Sequence, residues 1–250
     1  MEEILLYFSL KYAGDFDKIF KALERKEEVD NDLKESLCKS LKSQYTTIVS
    51  NDYPAALKEI DCPPFVLFYY GNLELVKERC IAVVGMRYPS EYGLAVTSHF
   101  SKQLVQANKT IVSGMALGID TQAHQSAIAN CGKTIAVLGS GIDYCYPKRN
   151  YQLYQKLKES QLIMSEYPGE LVPCKVNFPR RNRIIAGLSE AILVTEAKQR
   201  SGTMITVGHA LEQGKDIFSV PSRIDDAGGC NYLIQQGAKL VMDVFDILNE

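Results

Sequence analysis

The chain has 250 residues, 46% hydrophobic and 23% charged, with a formal net charge of −2. A globular chain of that size buries about 70–75% of its unfolded surface, so it folds without needing disulfides or a structural metal. The near-neutral balance excludes a broad basic surface that coats nucleic acid indiscriminately, and any polyanion site must be a focused patch.

The predicted elements begin as helices. Apolar residues recur at three- and four-residue spacing over residues 2–10, 15–26 and 31–42, as with Phe16, Ile19, Phe20 and Leu23. Residues 1–61 carry 9 Lys/Arg against 13 Asp/Glu, whereas the remainder carries 19 against 17. That shift marks a boundary between a small helical domain, residues 1–61, and a larger domain, residues 62–250. The acidic cap suits packing or partner docking rather than direct phosphate contact.

From Cys62 the period changes. Short apolar runs at Phe65–Tyr69, Ile81–Val84, Thr110–Val112, Thr134–Leu138, Leu162–Met164, Ala191–Val194, Ile217–Val220 and Lys239–Met242 alternate with helical stretches. Such runs read as strands buried on both faces, so a doubly wound α/β domain with a mainly parallel sheet is expected. In that architecture ligands bind outside the carboxyl ends of the strands. The residues there are Gly85-Met86-Arg87, Ser113-Gly114 through Asp120, Gly139-Ser140-Gly141, Ser165-Glu166 and Thr195-Glu196 with Ser201-Gly202-Thr203. Small turns let a backbone approach phosphate closely, although glycine also ends many such turns for steric reasons alone. Asp120 and Asp143 follow glycines at helix starts and read as N-caps.

The strongest local signal is Phe178-Pro179-Arg180-Arg181-Asn182-Arg183, with Lys175 upstream and no acidic residue between Leu171 and Ser189. Arginine forks match phosphate oxygens, and a helix start adds N–H groups of the same sign. Arg87, two residues after a strand-ending glycine, reads as a further phosphate ligand or as a surface arginine. Phe178 among cations is how a single strand is gripped, with a base on the ring; its other reading is a core anchor for the loop.

Several chemistries are missing. There is no GxGxxG, GxxxxGK[ST], HExxH or GxSxG. The 7 cysteines form no CxxC pair and the 3 histidines fall on predicted helices, so neither a zinc site nor a catalytic constellation is indicated. The start Met1-Glu2-Glu3-Ile4 lacks the basic region of a secretion signal, and no apolar run reaches the ~18 residues of a membrane span, so a cytoplasmic protein is expected.

Together these motifs resemble the DNA-processing protein A family (DprA, also called Smf). The likeness runs from about Tyr53 to Phe245, through Val84-Gly85-Met86-Arg87, Ile111-Val112-Ser113-Gly114-Met115-Ala116, Gly118-Ile119-Asp120, Tyr146-Pro147, Ser165-Glu166-Tyr167, Phe178 to Gly187 and Ser201-Gly202-Thr203. It implies a Rossmann-like domain and a non-enzymatic, cofactor-free protein that binds single-stranded DNA and forms a homodimer. It further implies protection of incoming strands and loading of the RecA recombinase in natural transformation, with single-strand-binding protein as a further partner. By position, the strand-binding residues map to Gly85, Arg87, Ser113, Gly114, Lys175, Phe178, Arg181 and Asn182, with Arg183 in the same cluster.

This chain departs from the family pattern in places. Met86 stands where serine is usual, Leu117 where a basic residue is frequent, and Ser222 where glycine follows Pro221. The helical N-terminal region is shorter than the sterile-alpha-motif-like domain of many members, and no winged-helix tail follows within the 250 residues. A rival reading is a nucleotide-binding protein or nucleoside-monophosphate phosphoribohydrolase, which carries a PGGxGTxxE motif. Here Thr206 occupies the place of that glutamate, leaving only Glu166 or Glu196 to assist glycosidic cleavage.

Overall fold

A computed structural model describes residues 1–224 and 228–249. In chain order the elements are α1 (Glu2–Lys11), α2 (Phe16–Glu24), α3 (Asn31–Ser40), β1 (Gln44–Thr47), α4 (Ala55–Lys58), β2 (Val66–Gly71), β3 (Cys80–Val84), α5 (Glu91–Gln106), β4 (Thr110–Ser113), α6 (Ile119–Ala129) and β5 (Thr134–Leu138). There follow α7 (Tyr151–Ser160), β6 (Leu162–Ser165), α8 (Asn177–Leu188), β7 (Ala191–Val194), α9 (Gly202–Glu212), β8 (Asp216–Ser219), α10 (Gly229–Gln235), β9 (Lys239–Leu240) and α11 (Phe245–Leu248).

One 9-stranded sheet runs in the order β1-β2-β6-β5-β4-β3-β7-β8-β9. The strands from β6 to β9 in that order are parallel, and β1 and β2 close one edge antiparallel. Alternate residues of each parallel strand face opposite layers, as the period of two requires. Ala82, Val84, Val112, Ile135, Val137, Ile192 and Val194 pack against Ile184 and Ile185 of α8 and Val207 and Ala210 of α9. Ile81, Val83, Ile111 and Leu193 meet Phe100 and Leu104 of α5 and Ala123 and Ala127 of α6 on the other side. The expected doubly wound, mainly parallel Rossmann-like sheet is present, with all eight apolar runs in strands.

The three N-terminal helices form where the apolar spacing places them, and α2 and α3 start on the side chains of Asp15 and Asp30, which accept from the N–H of Lys18 and Leu33. Leu5 and Leu6 of α1 cover Val66 and Phe68 of β2 together with Ala136 and Ile163. Strand β1 lies inside residues 1–61, and Tyr53, Leu57 and Ile60 belong to the sheet's core. The charge step at 61/62 therefore falls within the sheet-bearing part of the chain. Strand β1 escapes the sequence pattern because its buried residues are threonines: Thr46 donates to Asp52 (2.6 Å), and Thr47 is paired with Ser50 (2.8 Å).

Candidate nucleic-acid interface

Strand β3 is flanked by β4 on one side and β7 on the other, so the chain winds in opposite directions from it. Such a switch point leaves a crevice at the carboxyl ends of the strands. A cleft of about 630 Å³ opens there. Its walls come from the turn after β3 (Gly85, Met86, Arg87, Tyr88), Tyr146 after β5, Lys175 ahead of α8, the first two turns of α8, and Lys198 to Thr206 after β7. Among the described residues, Arg87, Lys175, Arg181 and Lys198 line it against one carboxylate, that of Asp120.

Helix α8 carries most of the chemistry. Pro179 sits in its first turn, where the missing N–H costs no helical bond. Phe178, one residue before it, is half-buried and stands beside Tyr146, with ring centroids 5.6 Å apart and planes inclined at 43°. The Arg87 guanidinium lies 5.6 Å from the Phe178 ring centroid. Gly139 makes room for that ring: a Cβ there would stand 2.8 Å from Phe178 Cδ1. One edge of Phe178 thus packs on the β5 turn while the ring lines the cleft.

Arg181 is different in kind. It is buried, and Nη1 donates to the carbonyls of Gly114 (2.7 Å) and Val137, while Nε donates to Asn182 Oδ1 (3.2 Å). Burial, followed by the neighbouring Arg87 charge, outweighs the pull of Asp120 and brings its guanidinium down to about 10. Gly114 lies against this group, and a Cβ there would come within 2.4 Å of Arg181 Nη1. Asp120 accepts from the N–H of Gly114 (3.1 Å) and Ala116 (3.4 Å), so it braces the turn before α6 and does not cap that helix. Burial pushes its carboxyl up, and Arg181 and those N–H groups oppose the shift. Asp143 is no cap either; it accepts the Tyr70 hydroxyl at 2.6 Å.

Of the residues singled out in the sequence, Gly85, Arg87, Lys175, Phe178, Arg181 and Asn182 meet in the cleft, and Gly114 lines an adjoining recess of about 90 Å³. Ser113 and Arg183 lie elsewhere. Ser113 is fully buried and donates to the Val83 carbonyl at 2.7 Å. Arg183 points to the opposite side of α8, where Nη2 contacts both oxygens of Glu166 at 2.7 and 2.8 Å. Tyr88 (79% exposed) and Lys198, which the sequence did not single out, and Tyr146, quoted there only as part of the Tyr146-Pro147 motif, face the same opening. The signal for Tyr146 was its place in the long loop that opens with Gly139 after β5.

The two remaining glutamates are committed. Glu196 Oε2 accepts from Ser90 N–H (2.9 Å) and Ser90 Oγ (3.1 Å) at the start of α5, and its carbonyl accepts from Met86 N–H (2.9 Å). Gly93 is required beside it, because a Cβ there would stand 1.8 Å from Oε2. Glu166 is sealed against Arg183; burial pushes its carboxyl up while Arg183 pulls it back. His124 is buried on α6 and bonded through Nδ1 to Thr134 Oγ1 (2.7 Å); burial, and then the Arg181 charge, keep it neutral, its pKa lowered to about 3. Among the described residues no helix is long and apolar enough to cross a membrane.

"DNA processing protein DprA" of Streptococcus pneumoniae is 48% identical over 207 residues, 82% of this chain and 73% of that protein. The X-ray structure of DNA processing protein A from the same organism superposes with a TM-score of 0.85 at 40% identity, covering 100% of this chain and 93% of that one. A Helicobacter pylori structure, described as giving insight into the single-stranded DNA binding mode of DNA processing protein A, has a TM-score of 0.76 at 30% identity over 83% of this chain and 95% of that one. The family model for DNA recombination-mediator protein A matches residues 44–250, from β1 onward, so the chain belongs to that family.

Proposed function

We propose that this protein binds single-stranded DNA in the cleft at the switch point, without chemical conversion of the strand. The observation that carries the reading is the Phe178–Tyr146 pair with Arg87 over it, in a cleft lined, among the described residues, by four cations and one braced carboxylate. Aromatic faces accept any base and the cations take the phosphates, so affinity comes without sequence preference. A duplex hides its bases from such a pair. Hydrolysis of a nucleotide is disfavoured because Glu166 and Glu196 are bound to Arg183 and Ser90, and Asp120 is held by two backbone N–H groups. The relatives' names support the same reading: one is a DNA processing protein, another is described by its single-stranded DNA binding. In the cell the bound strand is handed to a RecA recombinase during transformation or recombination, by a cytoplasmic homodimer that also meets single-strand-binding protein.

The test is fluorescence anisotropy of a labelled single strand, a matched duplex and an AMP competitor across a salt series. The strand binds more tightly than the duplex, AMP fails to displace it, and log affinity falls with log salt by about 0.7 per phosphate contact. Absence of strand binding, or displacement by AMP, would overturn the reading.

A further inference from the structure

The loop between β5 and α7 has two faces. Tyr146 stands in the main cleft, while Tyr144, Cys145 and Lys148 line a second, shallower groove of about 590 Å³. Tyr70, Tyr151, Tyr154 and Lys158 complete that groove. The wall between the two is fixed by backbone bonds: the N–H groups of Gly141, Ile142 and Asp143 donate to Leu171 (2.8 Å), Tyr167 (3.0 Å) and Gly169 (2.8 Å). Tyr154 donates to the Ile142 carbonyl at 2.6 Å, and Asn150 Nδ2 reaches the Met115 carbonyl at 2.9 Å.

The groove repeats the chemistry of the main cleft. Lys158 Nζ lies 3.6 Å from the Tyr70 ring centroid and 5.3 Å from that of Tyr154. Three lysines, Lys42, Lys148 and Lys158, line the groove against two carboxylates: Glu170 pairs with Lys42 (3.4 Å), and Asp143 accepts the Tyr70 hydroxyl (2.6 Å). Lys148 is exposed and, among the described residues, makes no ion pair. Tyr151 is 57% exposed, its ring available on the rim. Aromatic rings beside uncompensated lysines suit bases and phosphates in alternation.

We infer that a single strand leaving the main cleft passes over Tyr146 into this groove, where Tyr151 stacks a base and Lys148 holds a phosphate. The inference rests on the strand-binding role proposed for the main cleft and extends its footprint to a second site on the same subunit. A fixed wall with an aromatic residue on each side spares the protein any ordering on binding, so only the strand loses conformational freedom.

The experiment is anisotropy of oligothymidylates of increasing length against the full chain and its Lys148→Ala, Tyr151→Ala and Arg87→Ala variants. Short strands, which fill only the main cleft, bind the wild type and the two groove variants alike. Longer strands gain affinity on the wild type. Tyr151→Ala loses about tenfold of that gain, and Lys148→Ala loses about 0.7 of log–log salt slope on long strands alone. Arg87→Ala weakens binding at every length. If the groove variants follow the wild type at all lengths, or lose equally on short strands, the second groove is not on the path. A wild type that binds short strands but gains nothing with length also overturns it and leaves the main-cleft reading intact. Failure to bind any strand overturns both.

Discussion

Arg87 and Arg181 line one cleft with opposite degrees of exposure, and the difference decides what each substitution does. Arg87 is exposed and shares its charge with the Phe178 ring, so on the proposed strand-binding role Arg87→Ala removes a phosphate ligand and little else. The expected outcome is a salt slope lower by about 0.7 with an unchanged urea midpoint. Arg181 is buried and holds the carbonyls of Gly114 and Val137. Arg181→Ala orphans them and strips Asp120 of its opposing charge, which costs about 1–3 kcal/mol of stability, measurable by urea denaturation, besides any loss of DNA affinity. The sequence displays both residues as arginines near glycine turns; burial alone separates their roles, and no local pattern encodes it.

Helix α8 was legible as a helix start rich in cations, but its two faces were not. Three arginines in four positions look like one anion site, yet a turn of about 100° per residue sends Arg181 inward to the β4 and β5 turns and Arg183 to Glu166. Arg180 reaches a third partner, Asp17 of α2, at 2.8 Å. That bridge is half-exposed and contributes little, about 0–1 kcal/mol. Arg183→Ala instead leaves the buried Glu166 carboxylate without its counter-ion and is expected to lower stability by about 3–5 kcal/mol. At temperatures where the variant remains folded, strand affinity and salt slope match the wild type. Equal denaturation curves with weakened DNA binding would place Arg183 in the cleft after all. The strands, by contrast, were readable almost throughout, because continuous apolar runs such as Cys80–Val84 have no other place than a sheet covered on both faces. Strand β1 was the exception, its buried threonines hidden behind local side-chain bonds.

Across the whole molecule, the acidic N-terminal helices share a core with the sheet. Leu6 of α1 packs with Phe68 of β2, and Tyr7 and Phe8 join Ile19 and Ala22 in a cluster that Phe65 borders. The charge step near residue 61 records surface composition, which says nothing of how the layers beneath are joined. Leu6→Ala is expected to cost about 2–5 kcal/mol and to shift a single unfolding transition seen alike by far-ultraviolet and tyrosine signals. Two separated transitions would mean that the helices unfold on their own.

The start of α5, directly after the central strand β3, is where a sheet of this winding usually seats the phosphate of a nucleotide. Here that seat is taken: the Glu196 carboxylate accepts from Ser90, and Gly93 has no side chain to push it out. The chain thus carries its own tethered anion, which meets this seat without the translational entropy cost that a free metabolite bears. On the strand-binding role proposed above, AMP is expected to find this seat filled and to fail to compete with a polymer held by many weak contacts.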